Sequence, residues 1–343
     1  MTPRHPTLLT AENLRAAFGA RPFRLDDAQR AGVPAHRVRR AADAGRILRE
    51  RRGWYAVPAT EPATPEDLEA AVLVTCSRLR DRGIDPIVAG GAAGRFWGVH
   101  YLGAEPRPVV LVPPDSGVRP GSREGVLIRR AEIPPSHVLR RQDGLLITTP
   151  LRTGVDCARG RDPLAAFLAV NSGARLNLSP DGRSRDCHDI TRLASEPGMP
   201  DATRDDARRL LGDCRGHGLR VVRGILHLLD PRLETALEGL SWWRFAEHGI
   251  RMPVPQAWVQ GASGRWYRAD FDFGGVIGEA DGAVKYVDGG LWQEKGRQTD
   301  LELGGRPVVR WTWDIMWRNP RVVLAALARA EATLRTFPDA TRH

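Results

Sequence analysis

The segment from residue 266 to residue 281, WYRADFDFGGVIGEAD, constrains the fold of this chain more strongly than any other part of its sequence. Two strand-like runs flank Gly274-Gly275, and a glycine pair between such runs predicts a tight hairpin with antiparallel strands. Because side chains alternate between the two faces of a strand, Arg268, Asp270 and Asp272 are expected on one face. The opposite face is expected to carry Tyr267, Ala269, Phe271 and Phe273.

The residues around this hairpin extend the pattern to a whole domain. Helical spacing predicts a helix over 230–248, and strand-like residues follow at 255–260. Beyond the hairpin we expect a helix over 292–303, a strand over 307–312 and a final helix over 321–334. The order αβββαβα predicts an α+β domain from residue 230 to residue 343.

Acidic side chains of the hairpin are expected to meet at one point of the sheet. Glu279 and Asp281 share a face of the second strand, next to Asp270 on the first. Converging carboxylates repel each other unless a cation lies among them, and Mg²⁺ or Mn²⁺ is the oxygen-preferring ion expected there. Such an ion activates water and holds a phosphate for attack. The alternative is a solvated acidic face without a metal.

Charge is concentrated at the other end of the chain. The formal net charge is +10, and residues 1–57 carry 12 arginines against 5 acidic residues. A small segment with concentrated positive charge suits a polyanion such as DNA, because phosphate contacts release counterions.

The same basic segment has the pattern of a winged helix-turn-helix. Helices are expected over 25–31 and 36–44, separated by Gly32-Val33, and two short strands over 47–49 and 54–57. The expected contacts with double-stranded DNA come from Arg37, Arg39 and Arg40 in the groove and from Arg51 and Arg52 at phosphates. The alternative is a small helical domain whose arginines serve solubility or protein contacts.

The run AGVPAHRVRRAADAGRILRERRGWYAV resembles the N-terminal domain of AbiEi-family antitoxins, the repressors of a type IV toxin–antitoxin system. Two further runs, GGAAGRFWGVH and TTPLRTGVDCA, resemble the middle region of the same family. The resemblance implies DNA binding and a toxin or another defence protein as a partner.

Residues 230–320 resemble the PD-(D/E)XK nuclease superfamily, in particular its very-short-patch-repair-like (Vsr-like) branch. The runs that carry the resemblance are LETALE, PVPQ, YRADFDF, IGEADGAVKY, EKGRQTDL and RPVVRWTWD. It implies that Asp270 and Glu279 hold the metal, supported by Glu234 on the preceding helix and by Gln256 on the first strand. The implied activity is that of a metal-dependent DNA endonuclease.

The sequence departs from the superfamily pattern at one position. The pattern has lysine two residues after the acid, and Asp281 stands there. Lys285 or Asp281 is expected to orient the water if the domain cuts DNA. The alternative is a non-catalytic antitoxin-like repressor with a degenerate nuclease fold, and a third is a purely protein-binding partner of a toxin.

The expected organisation is an α+β multidomain chain. The predicted segments are a winged helix (1–60), an α/β middle domain (61–175), a connector (176–229) that is partly ordered over 178–207, and the nuclease-like domain (230–343). The N-terminus has no signal-peptide pattern, so the expected location is cytoplasmic. Eight of the ten tryptophans lie after residue 240, and those in helices and strands are expected mostly in the core, with base stacking as the alternative use.

Overall fold

A computed structural model describes residues 6–19, 22–43, 47–51, 53–57, 65–103, 105–123, 125–179, 187–281 and 290–336 of the chain. The chain divides into two compact units. The first unit comprises 1–93 and 106–148, and the second comprises 94–105 and 149–343. The residues predicted as a middle domain therefore contribute to both units.

The N-terminal part of the first unit combines three helices with a small antiparallel sheet. The helices are α1 (Pro6–Phe18), α2 (Leu25–Arg30) and α3 (Ala35–Asp43), and the strands are β1 (Phe23–Arg24), β2 (Leu48–Arg51) and β3 (Trp54–Ala56). The strand order is β1-β3-β2. Both predicted helices and the predicted hairpin are confirmed, whereas α1 and β1 were not expected.

Local sequence signals explain where α2 and α3 begin. The Asp27 carboxylate accepts a hydrogen bond from the Arg24 N–H at 2.9 Å, which satisfies a free donor at the start of α2. Gly32 has a φ of 80°, a conformation that glycine adopts without strain, and it turns the chain into α3. Val38 and Ala41 of α3 are buried with Phe23 and Tyr55 in one small core.

The rest of the first unit is a mixed six-stranded sheet with the order β6-β7-β5-β4-β9-β8. Its elements are α4 (Pro65–Arg80), β4 (Ile87–Ala89), α5 (Gly90–Trp97), β5 (Pro108–Val112), β6 (Gly121–Arg123), β7 (Val126–Arg130), β8 (Val138–Arg140) and β9 (Leu146–Thr148). Strands β5 and β7 are parallel, as are β4 and β9. Sequence patterns predict helices over 64–79 and 90–98 and strands over 108–112, 125–128 and 144–148, and the structure confirms them, whereas β4, β6 and β8 were missed.

Helices dominate the first part of the second unit. They are α6 (Pro150–Ala158), α7 (Pro163–Leu176), α8 (Cys187–Ala194), α9 (Met199–Asp213) and α10 (Leu219–Ile225). Helices α6 and α7 approach so closely that a Cβ at Gly173 would lie 2.6 Å from the Pro150 carbonyl oxygen. Helices α8 to α10 occupy the segment predicted as a partly ordered connector, and that prediction is wrong for the residues that the structure describes.

The C-terminal part of the second unit has the predicted order of elements, with one additional short helix, α13 (Trp313–Arg318), before the last helix. They are α11 (Ala236–Glu247), β10 (Val254–Gln260), β11 (Trp266–Asp272), β12 (Ile277–Ala280), α12 (Gly290–Leu303), β13 (Val308–Trp311), α13 (Trp313–Arg318) and α14 (Pro320–Thr336). Strands β10, β11 and β12 are antiparallel neighbours, and β13 is parallel to β12. The chain is thus a mixed α+β protein with several sheets, as predicted.

Large aromatic residues fill the core between this sheet and α11. The Phe245 ring of α11 contacts the rings of Phe271, Phe273 and Trp311 edge to face. The buried Trp311 Nε1 also donates to the Ser241 hydroxyl at 2.8 Å, so its polar atom is satisfied. In the described ranges no helix is both long and apolar enough to cross a membrane.

Candidate functional site: a carboxylate cluster on the C-terminal sheet

The apolar side chains of β11 do not all lie on the same face of the sheet. Ala269 belongs to a core with Leu301 of α12, whereas Phe271 packs on Phe245 of α11. The prediction that alternation keeps Ala269 and Phe271 on one face is therefore wrong. The change occurs at Asp270, which consequently lies between the side of the sheet covered by α11 and the side covered by α12.

Backbone strain accompanies this change of face. Gln256 lies opposite Asp270, between the registered pairs Pro255–Phe271 and Ala257–Ala269. Its φ is 53°, the only positive value for a residue other than glycine in the part of the chain that the structure describes. Such a conformation costs a side-chain-bearing residue about 1 kcal/mol or more and persists only where the surroundings impose it.

The Gln256 side chain links two acidic residues. Its Nε2 donates to Glu238 Oε2 at 2.9 Å, and a further hydrogen bond joins Gln256 to Asp270. Asp270 Oδ2 accepts from the Ala280 N–H at 2.8 Å, which ties β11 to β12 beside Glu279. Gln256, Glu238 and Asp270 thus form one connected group at the point where β11 changes face.

Burial perturbs both carboxyl groups, and the charge of Asp270 adds to the effect at Glu238. Burial, followed by the negative charge of Asp270, raises the pKa of Glu238 to about 7. Burial also raises the pKa of Asp270, although the Ala280 N–H and the positive charge of Arg297 oppose that rise. A buried carboxyl group next to a second carboxylate favours the protonated form or a cation nearby.

Glu279 stands on β12 next to Ala280, whose N–H binds Asp270, and it has an arginine as its partner. Its side chain is buried, with 8% of the residue exposed. Arg297 of α12 donates from Nη2 to Glu279 Oε1 at 2.6 Å and to the Arg268 carbonyl oxygen at 2.8 Å. Arg297 therefore supplies a permanent positive charge beside the acidic residues, since a guanidinium stays protonated.

Glu234 does not join this group. It precedes α11, and the prediction that it lies on that helix is wrong because the helix is capped by Thr235 and begins at Ala236. Its carboxylate accepts from Arg175 at 3.0 Å, from the Thr191 hydroxyl at 2.6 Å and from both terminal nitrogens of Arg268.

Glu238 takes the place that was predicted for Glu234. The sequence signal for it is Thr235-Ala-Leu-Glu238, a threonine three residues before a glutamate, which marks a helix start and places Glu238 in the first turn.

Burial alone would raise the pKa of Glu234, but the Thr191 hydroxyl and the charges of Arg175 and Arg268 lower it below its ordinary value. Glu234 is thus committed to an ion-pair network.

The other predicted residues are dispersed. Asp272 accepts hydrogen bonds from the N–H groups of Gly274 and Gly275, so it shapes the turn instead of joining Asp270. Asp281 follows β12, where its N–H donates to the Trp311 carbonyl oxygen. Lys285 lies outside the described residues. Within the described ranges no three histidine, cysteine or acidic side chains are grouped so as to hold a metal ion.

A second candidate surface lies on α3 of the first unit. The helix buries Val38 and Ala41 and exposes Arg37, Arg39 and Arg40, as expected from its spacing. Arg51 is the last residue of β2, and Arg52 lies outside the described residues. The exposed arginines of α3 form one positively charged helix face.

Comparison with known proteins identifies a similarity in this N-terminal region. Residues 13–58 match the family described as transcriptional regulator, AbiEi antitoxin. This match confirms the resemblance stated for the N-terminal segment and supports a DNA-binding regulator. The resemblances of the middle region and of residues 230–320 stay predictions.

Two further comparisons concern solved structures and curated proteins. Among solved structures, the RV2827C protein from Mycobacterium tuberculosis aligns with 75% of this chain and 89% of its own, at 17% identity and a TM-score of 0.28. That score is too low to indicate a shared overall fold. A search of curated proteins finds no match. The similarity that bears on function is therefore that of residues 13–58 to antitoxin-type transcriptional regulators.

Proposed function

We propose that this chain binds double-stranded DNA through its N-terminal region and hydrolyses phosphodiester bonds at the carboxylate cluster of its C-terminal sheet. The observation that carries the catalytic part is the link from Glu238 through Gln256 to Asp270, which in turn accepts from the N–H of Ala280 beside Glu279, at the point where β11 changes face. Carboxylates are removed from water only at a large cost, so several at one place indicate a functional site.

The order of elements supports a PD-(D/E)XK-like assignment of this domain. A helix precedes three antiparallel strands, and a second helix leads to a strand parallel to the third. Asp270 and Glu279 stand on the second and third strands, at the positions that the sequence resemblance gives to the metal-binding acids. Glu238 provides the acidic residue of the preceding helix.

The donor set fits a divalent cation. Mg²⁺ is held in proteins by one or two carboxylates together with waters and substrate phosphates, so a dedicated cage of three acidic residues is not required. Asp270 together with one neighbouring carboxylate, Glu238 or Glu279, would hold the ion, which would lower the pKa of a bound water and neutralise charge on the phosphate.

The remaining residues of the site position these acids. Gln256 fixes the Glu238 carboxyl group through its amide and shares a hydrogen bond with Asp270. Arg297 holds Glu279 in place and presents the positive charge that the superfamily pattern draws from a lysine at position 281. Because it does not release its proton, Arg297 serves to bind phosphate and not as a base.

The DNA-binding part is proposed to be a winged helix in which α3 enters the major groove. Arg37, Arg39 and Arg40 face outward, and the β2–β3 hairpin follows as the wing. The similarity of residues 13–58 to antitoxin-type regulators supports this assignment. By the same similarity we propose a toxin as a protein partner.

Cleavage is tested on supercoiled plasmid and on matched and mismatched duplexes with Mg²⁺ or Mn²⁺. We expect the natural protein to nick or linearise DNA and Asp270→Asn to abolish cleavage. Asp272→Asn is the matched control on the same strand, and it should retain cleavage because Asp272 bonds only its own turn and a distant arginine. Cleavage that survives in Asp270→Asn would refute the proposed site.

A second candidate is a non-catalytic repressor, which the Glu279–Arg297 ion pair and the acidic residue at position 281 favour. In that case the natural protein protects DNA upstream of its own gene in footprinting, and no divalent cation induces cleavage. Asp270→Asn would then leave both footprint and repression unchanged, whereas absence of any footprint would count against the repressor.

A further inference from the structure

Two tryptophans of the β10–β11 hairpin are exposed to solvent. Trp258 is 64% exposed and Trp266 is 60% exposed, so the expectation that these residues belong to the core is wrong. The strand register places Trp258 directly opposite Arg268, and Trp266 lies two residues before Arg268 on the same strand. Both indole rings therefore stand on one face of the hairpin, together with Arg268.

This face lies at the border of the sheet. Strand β10 is an edge strand, and large apolar side chains on an exposed edge favour aggregation. Proteins normally protect such edges with charged residues or with a covering segment. Two exposed tryptophans in this position therefore indicate a binding surface for a ligand or a partner molecule.

The charge of the hairpin indicates what it binds. Residues 254–269 include Arg265 and Arg268 and no acidic residue. Arg268 is paired with Glu234, and the Asp300 carboxylate binds Ser263 and Tyr267, so Arg265 is the basic residue that this surface offers to a ligand. Arg265 is exposed beside Trp266, and its guanidinium lies 5.9 Å from the centre of the Tyr267 ring. Aromatic rings interleaved with arginines are the combination that binds single-stranded nucleic acid, through base stacking and phosphate contacts.

The position of the tryptophans connects them to the carboxylate cluster. Trp258 follows Gln256 by two residues on β10, a separation of about 7 Å along an extended strand. Trp266 precedes Asp270 by four residues on β11, which corresponds to about 13 Å. A strand whose bases stack on these rings would have a phosphate of the next few nucleotides within reach of Asp270.

We infer that Trp258 and Trp266 form a stacking platform for unpaired nucleobases, and that the substrate at the carboxylate cluster is single-stranded or locally opened DNA. The inference rests on the proposed function and adds the class of substrate. Bases of an intact duplex are stacked on each other, so they cannot present their faces to the platform. The N-terminal arginines bind duplex, and the platform receives the unpaired strand.

The test measures binding of the full-length chain to a short fluorescent single strand and to the matching duplex, by anisotropy in the presence of EDTA. We expect Trp258→Ala with Trp266→Ala to weaken binding of the single strand about tenfold or more, since each stacked base contributes strongly. Binding of the duplex should change less than about twofold, because α3 provides it.

The matched control is Trp313→Ala with Trp317→Ala, which removes two tryptophans that are 36% and 40% exposed and stack on each other on α13. This control should bind the single strand as the natural protein does. Replacement of Trp258 and Trp266 by tyrosine should restore most of the affinity, because tyrosine also offers a π-face. Thermal melting verifies that each variant is folded.

Unchanged binding of the single strand by the alanine variant would overturn the inference. So would an equal loss in the control pair, or a variant that loses only self-association, which would mark the platform as a protein contact. EDTA removes divalent cations, so no DNA is cut during the binding measurement. If the nuclease proposal is wrong and the stacking proposal is right, the protein binds the single strand but does not cut DNA with Mg²⁺ in the cleavage assay.

Discussion

Replacing Glu234 by glutamine tests whether this residue is structural or belongs to the carboxylate cluster. Glu234 joins Arg175 of α7 to Arg268 of β11, with side-chain exposures of 14% for Glu234, 8% for Arg175 and 34% for Arg268. Glutamine keeps one oxygen acceptor but removes the charge. Arg175 then stays buried with the Pro231 carbonyl and the Thr191 hydroxyl as its remaining partners.

Removing one partner of a buried ion pair costs about 3–5 kcal/mol. We expect the lower end, about 3 kcal/mol, because Arg175 keeps those two hydrogen bonds and because solvent screens the contribution of Arg268. For a unit of about 200 residues, each kcal/mol lowers the melting temperature by about 2–4 °C. Glu234→Gln should therefore lower the melting temperature by about 6–12 °C at neutral pH.

The pH dependence of this loss has a definite sign. The pKa of Glu234 is lowered in the folded state, so its stabilisation is present above the ordinary value of 4.5 and is lost as the pH falls through the folded value. The difference in melting temperature between the natural protein and Glu234→Gln should accordingly be largest near neutral pH and narrow below that ordinary value.

Scanning calorimetry across this pH range provides the measurement. Glu247→Gln is the control, because Glu247 forms an exposed ion pair with Arg244 and should change the melting temperature little. A loss below about 2 °C, or one that does not narrow in acid, would refute the reasoning. If Glu234 is structural, stabilisation by Mn²⁺ persists in Glu234→Gln and disappears in Asp270→Asn.

Three further predictions address the other surfaces of the molecule. Arg37→Ala with Arg40→Ala should weaken duplex binding and reduce discrimination between base sequences, and an unchanged sequence preference would exclude groove contacts there. Arg297→Ala should abolish cleavage, whereas Arg297→Lys should retain part of it; equal loss in both would show that charge is not what Arg297 supplies. Gly173→Ala should lower the melting temperature by several degrees, because the methyl group meets the Pro150 carbonyl oxygen, and unchanged melting would contradict the close approach of α6 and α7.

Local signals in the sequence were sufficient to predict most elements of both ends of the chain, but not α1, β1 or α13. Apolar spacing and the glycine turn at residue 32 gave α2 and α3, and the Gly274-Gly275 pair gave the hairpin of β11 and β12. These signals act within a few residues, so they do not depend on the rest of the fold. The missed strands β4, β6 and β8 have three residues each, too few for a period to be visible.

The site was predicted less completely, for reasons that lie in tertiary structure. Strict alternation fails at Asp270, because Gln256 on the neighbouring strand adopts a left-handed conformation that glutamine seldom adopts. Glu234 and Glu238 stand four residues apart, and only the cap at Thr235 decides which of them enters the helix. Arg297 is separated from Glu279 by eighteen positions, so no local pattern could pair them.

The left-handed conformation of Gln256 affects which substitutions selection favours at this position. Glycine at this position would relieve the backbone and stabilise the fold, yet it would delete the amide that holds Glu238. A screen for thermal stability alone should therefore enrich Gln256→Gly, and a screen that also demands activity should eliminate it. Selection for stability and selection for activity therefore favour different residues at position 256.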